Sequence, residues 1–580
     1  MPVVALLLPP ALLAAAAALG WGLGLTGRRS GRAVAAGAAW LALLMLTAAW
    51  FRGGRTLVEM TTAVTAGVAP LRFRVDAVTV LFQLAVLVPA ALLLTFQRRS
   101  SYGAALAALA TAAALSALAG GSLVWTAVGL GVCTSLVLIL LRQEETRMSV
   151  QFWIMHAAAW LLLLWAAVSL EAAGGTSVYG AVPVTALHLP IFTLMAAAAV
   201  LYSGLLPWRT WVSEAWTRRR LEAGTLAVAV LVPLGFYPLL RAYGMGAGQW
   251  PGGVPNLVMA AVGAATALGA AVRAQAAATR NGYLAEAVPL ASGLALLAIG
   301  AGTPLGLVAG LIGVLAVAAV AGLAPLVPDW RGPGTLLAIA VMAGAPPAVV
   351  FGGWLLTVQA AVEASAVMAF LGLAGAAAWL LGLGAAARAL RLPHAERGAE
   401  RDGSHLGSLI TSAAAVAAGI ALTGVIALLA LPAAVEVMPA SAGRAARAAV
   451  SQSALLGAGS FSVSTSSGGW SPALLGGTLV VVGVVAAVAV WLVRRRAVKS
   501  YLAEAEPPPK VVALEPAPPP LFAPPLSGIP ERACARLVAV RLPEQYRSLF
   551  RPALLERAAT RSRPWFWAVV TLTLAIVVTR

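Results

Sequence analysis

The apolar stretch at residues 189–216, LPIFTLMAAAAVLYSGLLPWRTWVSEAW, decides the fold. It is long enough to cross a hydrocarbon core of about 30 Å as a helix. Pro207 interrupts it, because proline lacks the backbone N–H that a helix interior needs. Such interruptions are tolerated in membranes where neighbouring protein satisfies the freed backbone groups. The stretch therefore predicts a transmembrane helix that is broken near Pro207.

Similar apolar runs recur along the whole chain. Of its 580 residues, 61% are hydrophobic and 10% are charged, whereas a soluble domain carries about 25% charged residues. The runs are rich in Ala, Leu, Gly and Val and lack the period-two alternation of an outer-membrane barrel. We predict an all-α polytopic membrane protein with about 14–16 transmembrane helices. Candidate spans begin near Val3, Ala33, Val75, Tyr102, Ser122, Val150, Leu189, Ala223, Val254, Leu284, Pro304, Gly334, Ala361, Leu406, Leu474 and Trp565.

The arginines between the apolar runs predict the orientation. Cytoplasmic loops of membrane proteins are enriched in Lys and Arg, and the bias here is clearest when the N-terminus is outside. The net charge of +19 then reflects topology and does not indicate nucleic acid. The predicted inside loops hold arginines 28, 29, 32, 98, 99, 142, 147, 209, 218–220, 273, 280, 331, 388, 391, 397, 401 and 494–496. The predicted outside loops hold arginines 52, 55, 72, 74, 241, 444 and 447, with a small folded element expected at residues 52–74.

A second interruption and a proline-rich segment complete the plan. Residues 334–358 contain Pro346 and Pro347, and matching breaks in two halves are typical of inverted-repeat transporters. The alternative is that these prolines are simply tolerated in membrane helices. Residues 502–530 hold so much proline that an extended strap is expected. The predicted units are 1–100 and 393–500 (flanking helices), 101–245 and 246–392 (two repeats), 501–563 (strap and interfacial segment) and 564–580 (terminal helix).

Four segments carry a family resemblance. They are residues 71–82, LRFRVDAVTVLF; the stretch 202–241 after the first break; the stretch 263–300; and residues 343–354, AGAPPAVVFGGW. Their order and spacing resemble the antiporter-like membrane subunits of respiratory complex I, hydrogenase-4, formate hydrogenlyase and multisubunit cation/proton antiporters. The resemblance implies about 14 helices with two inverted five-helix repeats, and a buried chain of Lys, Glu and His that relays protons.

The relay residues of that family are missing here. The chain has two lysines, Lys499 and Lys510, both after the main bundle. The family's lysine positions fall on Tyr202, Asn281 and Trp354, its acid on Thr126 and its histidine on Ala227. A relay needs groups whose pKa can be tuned through the working range, and these replacements do not supply one near neutral pH. The sequence therefore predicts a degenerate or reduced proton path.

Six residues remain as proton-path candidates, each with a structural alternative. Glu286 either serves a channel or pairs with Arg280 at the surface, beside Asn281. Glu214 either serves the path or neutralises the arginines at 218–220, and His156 either relays protons or is a hydrogen-bonded core residue. Tyr202 stands at a position where the family has a lysine. Asp76 is expected to be a structural cap or to form an ion pair with Arg74. No metal site, catalytic centre or cofactor is expected in this chain, so redox cofactors belong to partner subunits.

Three functions stay open from the sequence. The first is a membrane subunit of a proton- or cation-translocating redox complex of the complex I or hydrogenase-4 type, with a structural and sealing role beside other membrane subunits. The second is a competent proton pump module that uses Glu286. The third is a stand-alone secondary transporter, or the membrane subunit of an inorganic-carbon uptake system. In each case we expect a multi-pass protein of the cell (inner or plasma) membrane.

Overall fold

The computed structural model describes most of the chain up to residue 389 and shorter parts after it. The described residues are 2–25, 30–52, 58–65, 70–96, 100–143, 150–209, 211–212, 215, 221–277, 279–323, 343–345, 349–389, 429–452, 461–465, 468–471, 475, 478–479, 481 and 485. The spans predicted near Leu406, Leu474 and Trp565, and the break at Pro346 and Pro347, lie wholly or largely outside them.

Helices make up most of the described chain. Their bounds are α1 (Pro2–Leu25), α2 (Gly31–Arg52), α3 (Ala77–Phe96), α4 (Ser101–Leu118), α5 (Leu123–Gln143), α6 (Val150–Gly174), α7 (Leu189–Tyr202), α8 (Leu221–Met245), α9 (Val254–Ala276), α10 (Arg280–Gly300), α11 (Pro304–Leu323), α12 (Val349–Ala364), α13 (Ala366–Ala389) and α14 (Ala440–Ala449). A 3-10 turn covers Val184–Ala186, and residues 429–437 are also helical.

Ten of the described helices are long and apolar enough to cross a membrane. The all-α, multi-pass prediction is therefore confirmed. The starts predicted from Val3 to Pro304 match described helices, although α10 begins at Arg280, four residues before the predicted Leu284. The helix predicted from Ala361 is instead divided between α12 and α13 at Ser365. The inverted repeats, the unit boundaries and the orientation stay predictions.

Two small antiparallel sheets lie outside the helices. Strands β1 (Val58–Thr65) and β2 (Pro70–Val75) form a hairpin in which Val58 lies opposite Val75. This hairpin is the small folded element expected at residues 52–74. Strands β3 (Val450–Gln452), β4 (Phe461–Thr465) and β5 (Gly468–Trp470) form the second sheet, in the order β3-β4-β5.

Helix α8 lies at the centre of the bundle. Residues 224–243 of this helix are all buried, and it packs against α3, α7 and α11. Helices at the periphery, such as α13, expose large apolar side chains, including Phe370 and Leu373. In a membrane such faces contact lipid or other subunits without cost, because lipid tails are as apolar as leucine. The central position of α8 brings its polar residues next to those of α3 and α7.

Candidate functional site

A buried ion network surrounds Asp76, between the β-hairpin and the start of α3. Arg241 of α8 binds both carboxylate oxygens of Asp76, with Nη1–Oδ2 and Nη2–Oδ1 distances of 2.6 and 2.8 Å. Arg74 of β2 adds a third contact, with its Nε 3.0 Å from Oδ2. Arg241 Nη2 also donates to the hydroxyl oxygens of Thr79 and Tyr237. We call these five residues the hairpin cluster.

The hairpin cluster follows from local sequence as well as from packing. Asp76 precedes α3 and accepts a hydrogen bond from the backbone N–H of Thr79, as helix-capping aspartates do. The expected cap and the expected pair with Arg74 are therefore both present. Burial raises the pKa of the Asp76 carboxyl, but Arg241 and Arg74 outweigh burial, so its pKa lies well below the ordinary value. Asp76 is consequently ionised near neutral pH, where it neutralises a buried arginine.

The broken helix is held by hydrogen bonds from neighbouring helices. Helix α7 ends at Tyr202, and Gly204 follows with φ +63°. Ser203 Oγ donates to the carbonyl of Val232 in α8, and the Leu206 N–H donates to Thr266 Oγ1 in α9. These contacts satisfy backbone and hydroxyl groups that an uninterrupted helix would satisfy internally. The predicted break near Pro207 therefore lies in a described, non-helical turn.

A second ion network lies directly after the break. Arg209 Nη1 is 2.9 and 2.7 Å from the two carboxylate oxygens of Glu286, and Arg273 Nε is 3.2 Å from Oε2. Arg209 and Glu286 are both buried, whereas Arg273, near the end of α9, is about one-third exposed. We call these three residues the broken-helix cluster. It joins the segment after α7 to α9 and α10.

The early start of α10 explains the position of Glu286. Thr279 caps the helix by accepting from the Gly282 N–H, so the helix begins at Arg280. Glu286 consequently lies in the second turn and reaches Arg209 and Arg273. The side chains of Arg280 and Asn281 are outside the described residues, so the pair between Glu286 and Arg280 stays a prediction. Glu214 is also outside them.

Tyr202 and His156 lie beside the break, between α5, α6 and α7. The Tyr202 hydroxyl is 3.2 Å from Thr134 Oγ1. His156 is buried, and its Nδ1 is 2.9 Å from the carbonyl oxygen of Phe152. The rings of Phe152, Tyr202 and Trp211 surround its imidazole, with centroid distances of 4.1, 5.7 and 4.8 Å. His156 therefore makes the hydrogen-bonded core contacts of its structural alternative, and a relay role stays a prediction.

The other positions that the family resemblance singled out hold packing residues. Thr126 accepts a hydrogen bond of 2.9 Å from the hydroxyl of Tyr179. Ala227 is buried in α8, and Trp354 is buried in α12. Thr126 and Thr134 lie on the same helix, eight residues or about 12 Å apart. Ala127 and Leu130, which lie between them in the sequence, are buried and apolar.

Three arginines that the sequence placed in loops are buried within or beside helices. Arg241 lies inside α8, Arg209 follows the break, and Arg388 lies in α13. Arg388 Nη1 donates to the carbonyls of Gln275 and Ala277 at the end of α9, at 2.7 and 2.6 Å. Arg241 and Arg388 therefore lie inside helices and not in loops, whereas Arg209 lies in the turn after the break. Each guanidinium has a carboxylate or helix-end carbonyls as partner. Arg241 follows the apolar run PLGFYPLL, and this signal pointed to a buried arginine.

Comparisons with known proteins agree at the level of the fold. No family model and no curated protein matches the chain. A chain of the membrane-bound sulfane sulfur reductase, an archaeal respiratory membrane complex, aligns over 100% of both chains with 16% identity and a TM-score of 0.67. A chain of respiratory complex I from Thermus thermophilus covers 76% of this chain and 99% of its own length, with 22% identity and a TM-score of 0.62.

A third structure gives the same result. A chain of the Mrp complex from Dietzia sp. DQ12-45-1b covers 76% of this chain and 99% of its own length, with 18% identity and a TM-score of 0.60. All three similarities extend over about three quarters of this chain or more. The chain therefore shares its fold with these subunits of membrane complexes.

Proposed function

We propose that this chain is a membrane subunit of a multisubunit, ion-translocating respiratory-type complex, in which its own proton path is reduced and its main role is to hold the assembly together and seal the membrane. The structural neighbours come from an Mrp complex, respiratory complex I and an archaeal respiratory membrane complex. One observation supports the proposal of a reduced proton path. The two carboxylates that are buried among the described residues, Asp76 and Glu286, are each paired with two arginines.

Ion pairs hold both carboxylates to neighbouring elements, Glu286 to Arg209 and Arg273 and Asp76 to Arg241 and Arg74. Protonating Asp76 would leave Arg241 buried without its counter-ion. Breaking a buried pair in this way costs about 3–5 kcal/mol. A relay group must instead exchange its proton at little cost near the working pH. Both carboxylates are therefore suited to fixing helices in place.

The lysine position supports the same proposal. Tyr202 is buried at the end of α7 and its hydroxyl contacts Thr134. A tyrosine hydroxyl ordinarily has a pKa of about 10 and carries no charge near neutral pH. Tyr202 therefore preserves the packing of the break without supplying the positive charge of the family's lysine. This supports a sealing role, because an uncharged residue at this position offers no charged group to a passing ion.

Purification from native membranes tests the assembly. We expect an affinity-tagged chain, extracted in mild detergent, to co-migrate with redox or antiporter-type subunits in fixed stoichiometry. The control is an unrelated multi-pass protein that carries the same tag and is expressed at the same level. A stable monomer without such partners would contradict the proposal and favour a stand-alone transporter. Carbon-uptake subunits as partners would instead favour the inorganic-carbon alternative.

A second candidate function rests on Glu286, a buried carboxylate beside the break. If the chain is a competent pump that uses this residue, Glu286→Gln abolishes proton transfer in the complex. Our proposal predicts that Glu286→Gln complexes that still assemble pump at the native rate per turnover. Loss of assembly would show that the ion pair holds the broken helix, which also supports the proposal. The matched control is Glu363→Gln, which changes an exposed glutamate of α12.

A further inference from the structure

His156 in α6 has a buried ring nitrogen that neither ion network uses. Its Nδ1 lies 2.9 Å from the carbonyl oxygen of Phe152, one turn earlier. A carbonyl oxygen only accepts, so Nδ1 carries the hydrogen and donates. In a neutral imidazole the other nitrogen, Nε2, then has a lone pair that accepts. Among the described residues, nothing donates to Nε2, although the residue is only 1% exposed.

A matching donor lies one turn further along α6. The Nε1–H of Trp160 is also buried and has no acceptor among the described residues. Residues four apart share a helix face, with about 5–6 Å between their Cβ atoms. An unpaired acceptor and an unpaired donor are therefore buried side by side, on the face of α6 that packs against α5 and α7.

Contacts with α5 and α7 define the surroundings of this pair. A Cβ atom at Gly131 of α5 would lie 2.5 Å from Trp160 Nε1, so the indole nitrogen lies against that glycine. Thr134 is three residues further along α5, and its hydroxyl pairs with that of Tyr202. The Tyr202 ring in turn contacts His156. Side chains of α5, α6 and α7 that carry polar atoms thus pack against one another beside the break.

We propose that His156, Trp160 and the Tyr202–Thr134 hydroxyl pair form a binding site for one buried water molecule. The water accepts from Trp160 Nε1–H and donates to His156 Nε2, which satisfies both groups. Buried waters in proteins make about three hydrogen bonds, and the hydroxyl pair supplies the third. A buried donor or acceptor without a partner is costly. Without the water, both His156 Nε2 and Trp160 Nε1 would carry this cost.

This site goes beyond the proposed function and does not depend on it. A structural subunit without any ion conduction would still need the water, because the two unpaired nitrogens are buried in either case. The site also differs from both ion networks, each of which is built around a carboxylate that is already paired with arginines. The three polar groups named here are neutral, so water is the ligand that fits them.

Nitrogen NMR of the full chain in its native complex tests the site, using ¹⁵N-labelled histidine. The chain has four histidines, and His156→Gln identifies the His156 signals. We expect a protonated Nδ1 and a hydrogen-bonded, unprotonated Nε2. Trp160→Phe should shift the Nε2 signal towards that of a free lone pair. The matched control is Trp153→Phe, a change on the exposed face of the same helix, which should leave the signal in place.

Two results would overturn the proposal. One is an Nε2 signal of a free lone pair in the native protein that Trp160→Phe does not move, because the site would then be dry. The other is a proton on Nε2 instead of Nδ1. A high-resolution density map of the unmodified complex gives an independent measurement that does not rely on variants. Density within hydrogen-bond distance of both nitrogens supports the water, and its absence from a map that shows other buried waters contradicts it.

Discussion

At the residue scale, the arginines are the most informative side chains. Arg241, Arg209 and Arg388 are each buried, and each has a carboxylate or helix-end carbonyls within 3 Å. A charged side chain inside a membrane protein is costly unless it is paired. The partners come from other elements, so each arginine joins segments that are distant in the sequence. These residues therefore stabilise a particular arrangement of helices, as ion pairs that specify packing do in soluble proteins.

The pair between Asp76 and Arg241 gives the first prediction. Asp76→Asn removes the charge but keeps the size, and it leaves Arg241 buried without its counter-ion. We expect a loss of about 3–5 kcal/mol in the free energy of unfolding, measured by thermal or denaturant unfolding in detergent. The matched control is Glu436→Gln, because Glu436 contacts Arg74 at 3.6 Å and is about one-third exposed. The control should cost at most about 1 kcal/mol, and equal losses would contradict the prediction.

The same carboxyl predicts the dependence of stability on pH. Burial raises the pKa of Asp76, but its arginine partners lower it well below the ordinary value of about 4. A carboxyl whose pKa is depressed in the folded state stabilises the fold fully above the unfolded pKa. That contribution is lost as the pH falls below about 4. Between about pH 8 and 5, we expect Asp76 to leave the dependence of the melting temperature on pH unchanged. Below about pH 4, we expect the melting temperature to fall more steeply in the native chain than in Asp76→Asn. Identical slopes in the two proteins would exclude this role.

At the element scale, the contact between α9 and α10 is unusually close. Gly263 of α9 lies against the backbone of Gly293 and Leu297 in α10, and Gly300 lies against the backbone of Ala260. Small residues let membrane helices approach until their backbones are in contact. The hydrophobic effect does not drive helices together inside a bilayer, so van der Waals packing at such contacts stabilises the pair. This contact sets the position of Arg273 and Glu286, since one lies near the end of α9 and the other near the start of α10.

Gly263→Ala therefore tests the helix contact. The added Cβ atom would overlap the Leu297 nitrogen and the Gly293 carbonyl oxygen, which are backbone atoms and do not rotate away. We expect a destabilisation of about 1–3 kcal/mol, the usual cost of overpacking, measured by thermal unfolding in detergent. Gly37→Ala in α2 is the control, because no atom lies within 4 Å of the place that its added methyl group would occupy. That variant should be neutral or slightly stabilising, and a Gly263→Ala protein as stable as Gly37→Ala would contradict the close contact.

At the scale of the whole molecule, the two ion networks lie near opposite ends of the helices. The hairpin cluster includes the residues before α3 and near the end of α8, whereas the broken-helix cluster lies near the end of α9, the next span. Consecutive membrane spans run in opposite directions, so we expect the two clusters to lie near opposite surfaces of the membrane. The arginine bias predicts that the hairpin cluster is near the outside.

Thiol labelling tests this orientation. On a Cys534→Ser background, the remaining Cys133 is buried and should not react. Gly253→Cys precedes α9 on the predicted outside, and Gln143→Cys ends α5 on the predicted inside; both positions are exposed. We expect a membrane-impermeant maleimide to label Gly253→Cys in intact cells and Gln143→Cys only after permeabilisation. The reverse pattern would place the N-terminus inside.

The sequence by itself determined that the chain consists of membrane helices, where one of them is broken, and that the family's lysines are missing. These are local properties, because the length of an apolar run, a proline and a residue type need no knowledge of the rest of the fold. Only the tertiary structure decided which charges are buried and how they pair. Asp76 and Arg241 are 165 residues apart, and Arg209 and Glu286 are 77 apart. No periodicity or motif relates such positions, since an ion pair depends on the direction in which packed helices present their side chains.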